Sequence, residues 1–201
     1  MKSILIITLA CSVFFFGESR CTAQSNSQTD GKFLIVLNIQ EYSTCNGHKL
    51  SETEAQKIID SVNYAINQFN PNNVIYIRST HDLLNLSLSY PFIYVSRDTA
   101  AMRLDKRMHL VNDRVFTKEK TSAFTLAELN DFLQQNKAKE IVVVGLLAEE
   151  CVYETVVAGK DLGYEMYVIP EAIVGKSEKS KMKVLTKLKN NGIRQFSLND
   201  K

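Results

Sequence analysis

A single cysteine stands in the stretch VVVGLLAEECVYETVVAGKDLGYEMYVI, residues 142–169, where a β-branched apolar run gives way to an amphipathic one. Cys151 is therefore expected a few residues past the end of a strand, at the opening of a helix. Amide N–H groups and the dipole at a helix N-terminus stabilise an anion, which favours the thiolate, and a thiolate is a nucleophile. A buried structural cysteine would occupy the same place, so position alone leaves both readings open.

The elements that must position this thiol are legible as short apolar runs separated by amphipathic ones. KFLIVLNI (32–39), NVIYIRS (73–79), EIVVVGL (140–146) and EMYVIP (165–170) are rich in β-branched and aromatic residues, as buried parallel strands are. SETEAQKIIDSVNYAINQF opens with Ser51 and Glu54 at capping-box spacing and sets Ala55, Ile58, Ile59, Val62 and Ile66 on one face of a helix. TLAELNDFLQQN starts with Thr125 and Glu128 at the same spacing and repeats Leu126, Leu129 and Leu133. A last helix is expected over roughly 180–190, followed through Asn191-Gly192 by IRQFS as an edge strand. Within 81–113, YPFIYVSRD reads as a short strand and AAMRLDKRMH as a helix or a lid. Alternating strands and helices make βαβ units, hence a mostly parallel sheet with helices on both faces. In such a sheet the functional crevice lies beyond the carboxyl ends of the strands, where strand order reverses. Cys151 belongs there.

With 201 residues, 45% of them hydrophobic and 23% charged, the chain suits one soluble globular domain, placed at 32–201. Residues 1–23 combine a basic Lys2, an apolar run from Ile4 to Phe16 and a small, polar end at Cys21-Thr22-Ala23, the order of a cleaved secretory signal peptide. Residues 24–31 read as a flexible leader. The expected destination is across the inner membrane, in the periplasm. Cleavage removes Lys2, Arg20 and Glu18 and lowers the formal charge from +2 to +1, which calls for neither nucleic acid nor an anionic membrane surface. It also leaves only Cys45 and Cys151, too few for a disulfide scaffold.

GLLAEECV followed by GYEMYVIPEA, and preceded by KEKTSAFTLAEL, resembles the isochorismatase-like cysteine hydrolase family, which includes nicotinamidases, N-carbamoyl amidohydrolases and isochorismatases. The similarity runs from about Lys32 to Phe196. It implies a three-layer α/β/α sandwich with a mostly parallel, Rossmann-like sheet. It also implies an Asp, Lys and Cys triad, carried over one residue at a time. Gly145 and Cys151-Val152 match the family's nucleophile pattern, and Lys118, four residues before Ser122-Ala123-Phe124, matches its lysine. Lys120 is out of register. The family aspartate normally ends the first strand as Asp-x-Gln, whereas this chain has Asn38 two residues before Gln40. In the family chemistry that carboxylate takes the thiol proton and returns it to the leaving amine, which Asn38 cannot do. Glu41, Glu149 and Glu150 are substitute bases to weigh.

The resemblance further implies a cis peptide at Leu146-Leu147, with the amides of Leu147 and Cys151 as an oxyanion hole. STCNGHKL matches the family's Cys-x-Gly-x-x-Leu loop through Cys45 and Gly47. Gln40, Tyr42 and Phe124 are expected at the substrate pocket, the last two with plain core as the alternative. The family's strand order brings Cys45 near Cys151, but the roughly 7 Å limit on Cα separation favours two free thiols. Around RSTHDLLN the chain shows no metal-ligand spacing, with His81 before Asp82 and only His48 and His109 besides, so neither a metal nor another cofactor is expected. Two functions follow. One is an exported hydrolase of a small amide or carbamoyl substrate through a Cys151 thioester. The other is a catalytically silent relative that binds a small ligand or a partner. Neither needs nucleic acid or a membrane span after cleavage, and a homo-oligomer is left open.

Overall fold

The computed structural model describes residues 31–45, 50–80, 82–86, 88 and 93–196. The expected signal segment, the leader up to residue 30, Gly47, His48 and His81 lie outside these residues. In chain order the elements are β1 (Lys32–Leu37), a single turn α1 (Glu41–Thr44), α2 (Glu52–Ile66), β2 (Val74–Ser79), β3 (Asp82–Leu86), β4 (Ile93–Arg97) and β5 (Val115–Lys118). Then follow α3 (Ala127–Gln135), β6 (Glu140–Leu146), α4 (Tyr153–Asp161), β7 (Glu165–Val174), α5 (Glu178–Asn190) and β8 (Arg194–Gln195).

Six strands form one sheet in the order β5-β2-β1-β6-β7-β8, every neighbouring pair parallel. The chain builds outward from β1 through β2 to β5, then returns to the other side of β1 with β6. The order therefore reverses between β1 and β6, which is where such a sheet opens a crevice. Alternation within the strands supplies both faces. Leu34, Val36, Val74, Tyr76, Val142 and Val144 pack under α2, which contributes Ala55, Ile58, Ile59, Val62, Ala65 and Ile66. Phe33, Ile35, Leu37, Ile75, Ile77, Ile141 and Val143 pack under α3, α4 and α5, through Leu129, Leu133, Val156, Leu185 and Leu188. Each fully buried aliphatic side chain of this kind contributes about 1.5–3 kcal/mol. The α/β/α sandwich expected from alternation is thus the observed fold.

Four local expectations change. The helix at 127–135 is not opened by Thr125: its N-cap is Leu126, without a side-chain cap, because residues 123–125 wind a 3₁₀ turn that Ser122 caps through the Phe124 amide. The last helix starts at Glu178, two residues early, since Ser177 and Ser180 make a reciprocal capping box. AAMRLDKRMH is not a helix but a run of turns fastened to the segment after β1: the Asp105 amide donates to Ile39 O at 2.9 Å and the Glu41 amide to Arg103 O at 2.9 Å. Finally, VFTK (β5) is a strand that the apolar pattern does not announce, being four residues long and only half-buried along most of its length. IYVSR within YPFIYVSRD is a strand, paired antiparallel with β3 in a hairpin separate from the main sheet.

Candidate active site

Gly145 explains why the chain can turn sharply after β6. Its φ is +118°, and a Cβ added there would fall 2.0 Å from Leu37 O on β1. Only glycine fits so close an approach. One residue on, the Leu146-Leu147 peptide is cis, and residues 148–152 then wind a π turn before α4. Cys151 sits inside that turn rather than at the first residue of the helix. The Leu147 carbonyl accepts from the amides of Glu150 and Val152, both at 3.1 Å, and the intervening Cys151 amide does not bond it.

Lys118 ends β5 in register with Ser79 of β2. Its side chain is 1% exposed, and Nζ donates to Cys151 Sγ at 3.2 Å and to Lys120 O at 3.0 Å. The Ser-Ala-Phe run behind it is structural: the Ala123 amide donates to Thr155 Oγ1 on α4, and Phe124 stacks on Tyr164 at 5.6 Å. Phe124 is therefore a core residue and not part of the pocket wall, packed so tightly over Gly159 that a Cβ there would lie 2.7 Å from its ring.

Asn38 follows β1 in the left-handed region, at φ +57°, which asparagine tolerates better than most side chains. Both ends of its amide are used: Nδ2 donates to Leu146 O at 3.1 Å, and Oδ1 accepts from Ser79 Oγ at 2.9 Å. Asn38 thus ties β1, β2 and the cis peptide together. Gln40 is 5% exposed; its Nε2 donates to Ser79 O and Ala101 O, and its Oε1 accepts from the Ser79 amide.

A cavity of about 180 Å³ opens over these groups, with Asn38, Gln40, Tyr42, Leu147 and Cys151 among its walls. Ser79, Thr80, Ala101 and Glu150 also line it. Ser79 and Thr80 were discoverable as the carboxyl end of β2 beside the reversal point, whereas Ala101 arrives on the fastened turns and left no signal. Of the three glutamates weighed as bases, Glu150 alone reaches this cavity. Glu41 pairs with Arg103 and Lys106. Glu149 turns to the start of α5, accepting from the Lys176 amide and Ser180 Oγ; burial opposes its ionisation, but these bonds outweigh it and lower its pKa.

Behind the Tyr42 wall, Asp105 is 2% exposed and accepts from Thr44 Oγ1, the Arg107 guanidinium and, at 3.8 Å, Cys45 Sγ. Burial pushes its carboxyl up, but Arg107 and Thr44 outweigh this and hold it at about 2. Cys45 and Cys151 are both free thiols. Among the described residues no group of three or more His, Cys, Asp or Glu converges as metal ligands, and the cavity walls offer chiefly amides and hydroxyls. No helix of the described residues is long and apolar enough to cross a membrane.

The fold and site define a class: a doubly covered parallel sheet with a thiol and a buried ammonium in contact at its reversal point. The isochorismatase domain family matches residues 32–200, and the chain belongs to this family of hydrolases. An uncharacterized isochorismatase family protein of Bacillus subtilis, YrdC, is 27% identical over 143 residues, 70% of this chain and 72% of that protein. Similar solved folds include the pyrazinamidase of Pyrococcus horikoshii in complex with zinc, with TM-score 0.64, 22% identity and coverage of 83% of this chain and 99% of that one. The nicotinamidase/pyrazinamidase of Bacillus subtilis superposes with TM-score 0.65 at 20% identity, covering 82% and 98% of the two chains.

Proposed function

We propose that the protein is an exported, periplasmic cysteine hydrolase of small amides or carbamoyl compounds, acting through a Cys151 thioester with Lys118 as its partner. The observation that carries this reading is the buried Lys118 ammonium. Its polar partners are a carbonyl and Cys151 Sγ, neither a carboxylate. A buried ammonium without a counter-charge costs several kcal/mol, so the contact is best satisfied by a thiolate. Export rests on the signal-like residues 1–23.

In the reaction the Cys151 thiolate attacks the substrate carbonyl carbon, forming the C–S bond and moving charge to the oxygen. The amides of Leu147 and Cys151 are the donors proposed for that oxyanion. Collapse breaks the C–N bond, and the leaving nitrogen takes a proton from the Lys118 ammonium. Water then attacks the thioester, releasing the acid and returning sulfur and lysine to the starting pair. Asn38 holds the cis peptide and Ser79 in place without carrying a proton, which makes the reaction slow: a missing general acid-base group is worth about 10²- to 10⁴-fold.

The second reading, a silent ligand-binding relative, is favoured by that same Asn38, because its amide is wholly engaged in structural bonds. Mass spectrometry after exposure to small activated esters and amides separates the two. Selective acylation of Cys151 over Cys45, followed by release of the acyl group, is expected. A Cys151 that is never acylated would leave the binding reading.

A further inference from the structure

Glu150 is the only carboxylate among the described residues lining the cavity over Cys151, where its neighbours are amides, hydroxyls and aliphatic groups. It is half-exposed and bonded to Lys176 Nζ at 2.6 Å. Lys176 is more exposed still and lines a different cavity, of about 510 Å³. Leu147 lines both. The Glu150-Lys176 pair thus joins a residue lining one cavity to a residue lining the other.

Exposed ion pairs of this kind are weakly held, so Lys176 can return to solvent when another cation takes its place. Lys118 is already in contact with Cys151, so the Glu150 carboxylate, once Lys176 has left it, is the charge that a ligand meets. A cavity of about 180 Å³ equals roughly six water-sized volumes of ~30 Å³ each. The ligand portion it encloses is correspondingly small.

We propose that Glu150 sets the specificity of this cavity, selecting a small amide that bears a cationic group and rejecting one that bears a carboxylate, with the cation replacing Lys176 at Glu150. This rests on the cavity over Cys151 being the substrate site, but it concerns binding and needs no turnover.

Three probes of similar shape test it: 3-aminopropanamide (cationic), butanamide (neutral) and succinamate (anionic), each measured by how well it protects Cys151 of the wild-type protein from iodoacetamide. The cation should protect at roughly tenfold lower concentration than butanamide, the factor that about 1.4 kcal/mol represents. Succinamate should protect least. Glu150→Gln should abolish the preference, and Lys176→Ala should strengthen cation binding by removing the competitor. Equal protection by all three probes, no protection by the cation, or a preference that survives Glu150→Gln would overturn the proposal. Failure of Cys151 to acylate with activated esters would instead sink the hydrolase reading and leave the charge preference standing.

Discussion

Asn38→Asp changes one atom in a side chain that is bonded at both ends. The amide nitrogen donates to Leu146 O at 3.1 Å while the amide oxygen accepts from Ser79 at 2.9 Å. An ionised carboxylate has no donor, so it would set an oxygen against the Leu146 carbonyl and leave that acceptor without its partner. Such a loss at a partly buried group costs about 1–3 kcal/mol. A protonated carboxyl restores the bond by donating its O–H to the same carbonyl. The folded state therefore holds that proton more tightly than the unfolded chain, whose carboxyl titrates near about 3.9. A carboxyl raised in this way destabilises the fold at neutral pH, and the loss is recovered as pH falls through the raised value. Urea unfolding at pH 7 should show the variant about 1–3 kcal/mol less stable than wild type, with the gap narrowing at pH 5. The carboxyl also returns a proton carrier to the site, so hydrolysis of some member of a small-amide panel should rise roughly 10²-fold. A stability difference insensitive to pH, with background rates across the panel, would refute both the hydrogen-bond assignment and the role given to Asn38.

Lys118→Met keeps much of the buried volume but removes the ammonium; alkylation of Cys151 by iodoacetamide should slow at least about tenfold, and stability should stay within about 2 kcal/mol, since apolar replacements of buried charges are often tolerated. Gly145→Ala adds a Cβ 2.0 Å from Leu37 O at a φ of +118°, so strain and overpacking of about 1–3 kcal/mol each should lower the urea midpoint sharply. Asp105→Asn removes a carboxyl held at about 2 against an ordinary 3.8. Because a lowered carboxyl stabilises the fold above its unfolded value and loses that stabilisation as pH falls through the folded one, the variant should be about 2 kcal/mol less stable at pH 7. Its stability should also fall less than that of wild type between pH 4 and 2, followed by circular dichroism.

The parts of the site readable in the sequence were those fixed by local chemistry. The capping box at Ser51 and the change of pattern that puts Cys151 just past β6 are set within a few residues, so the sequence alone exposes them; Gly145 was matched through the family resemblance, its close neighbour Leu37 lying on β1, and the π turn stands where a helix start was expected. Lys118 was reachable only through the family resemblance, because β5 is a short, half-buried strand whose partner β2 lies some forty residues earlier. Phe124 was left between pocket and core for a related reason: an aromatic residue next to a motif residue carries no sign of which way it faces, and here Tyr164 and Gly159 receive it into the core. The turns at 98–109 have no periodicity at all. Their order comes from bonds to Gln40, Glu41 and Thr44, groups more than fifty residues away.

Charge balance connects these observations. On the proposed reading, Cys151 as thiolate and Lys118 as ammonium make a neutral pair inside a site where unbalanced charge is costly. Asn38, which lines the same cavity, is neutral in both its bonds and adds no charge to the pair. A carboxylate at position 38 would add a third charge, tolerable when a proton neutralises it and costly otherwise, because like charges in a dry site raise each other's pKa. That is the condition a working proton carrier needs, since it holds a proton in the resting state and gives it up when the leaving nitrogen can take it. On the proposed reading the asparagine gives up proton transfer and adds no charge beside the sulfur, and the carboxylate that lines the cavity, Glu150, is held by Lys176.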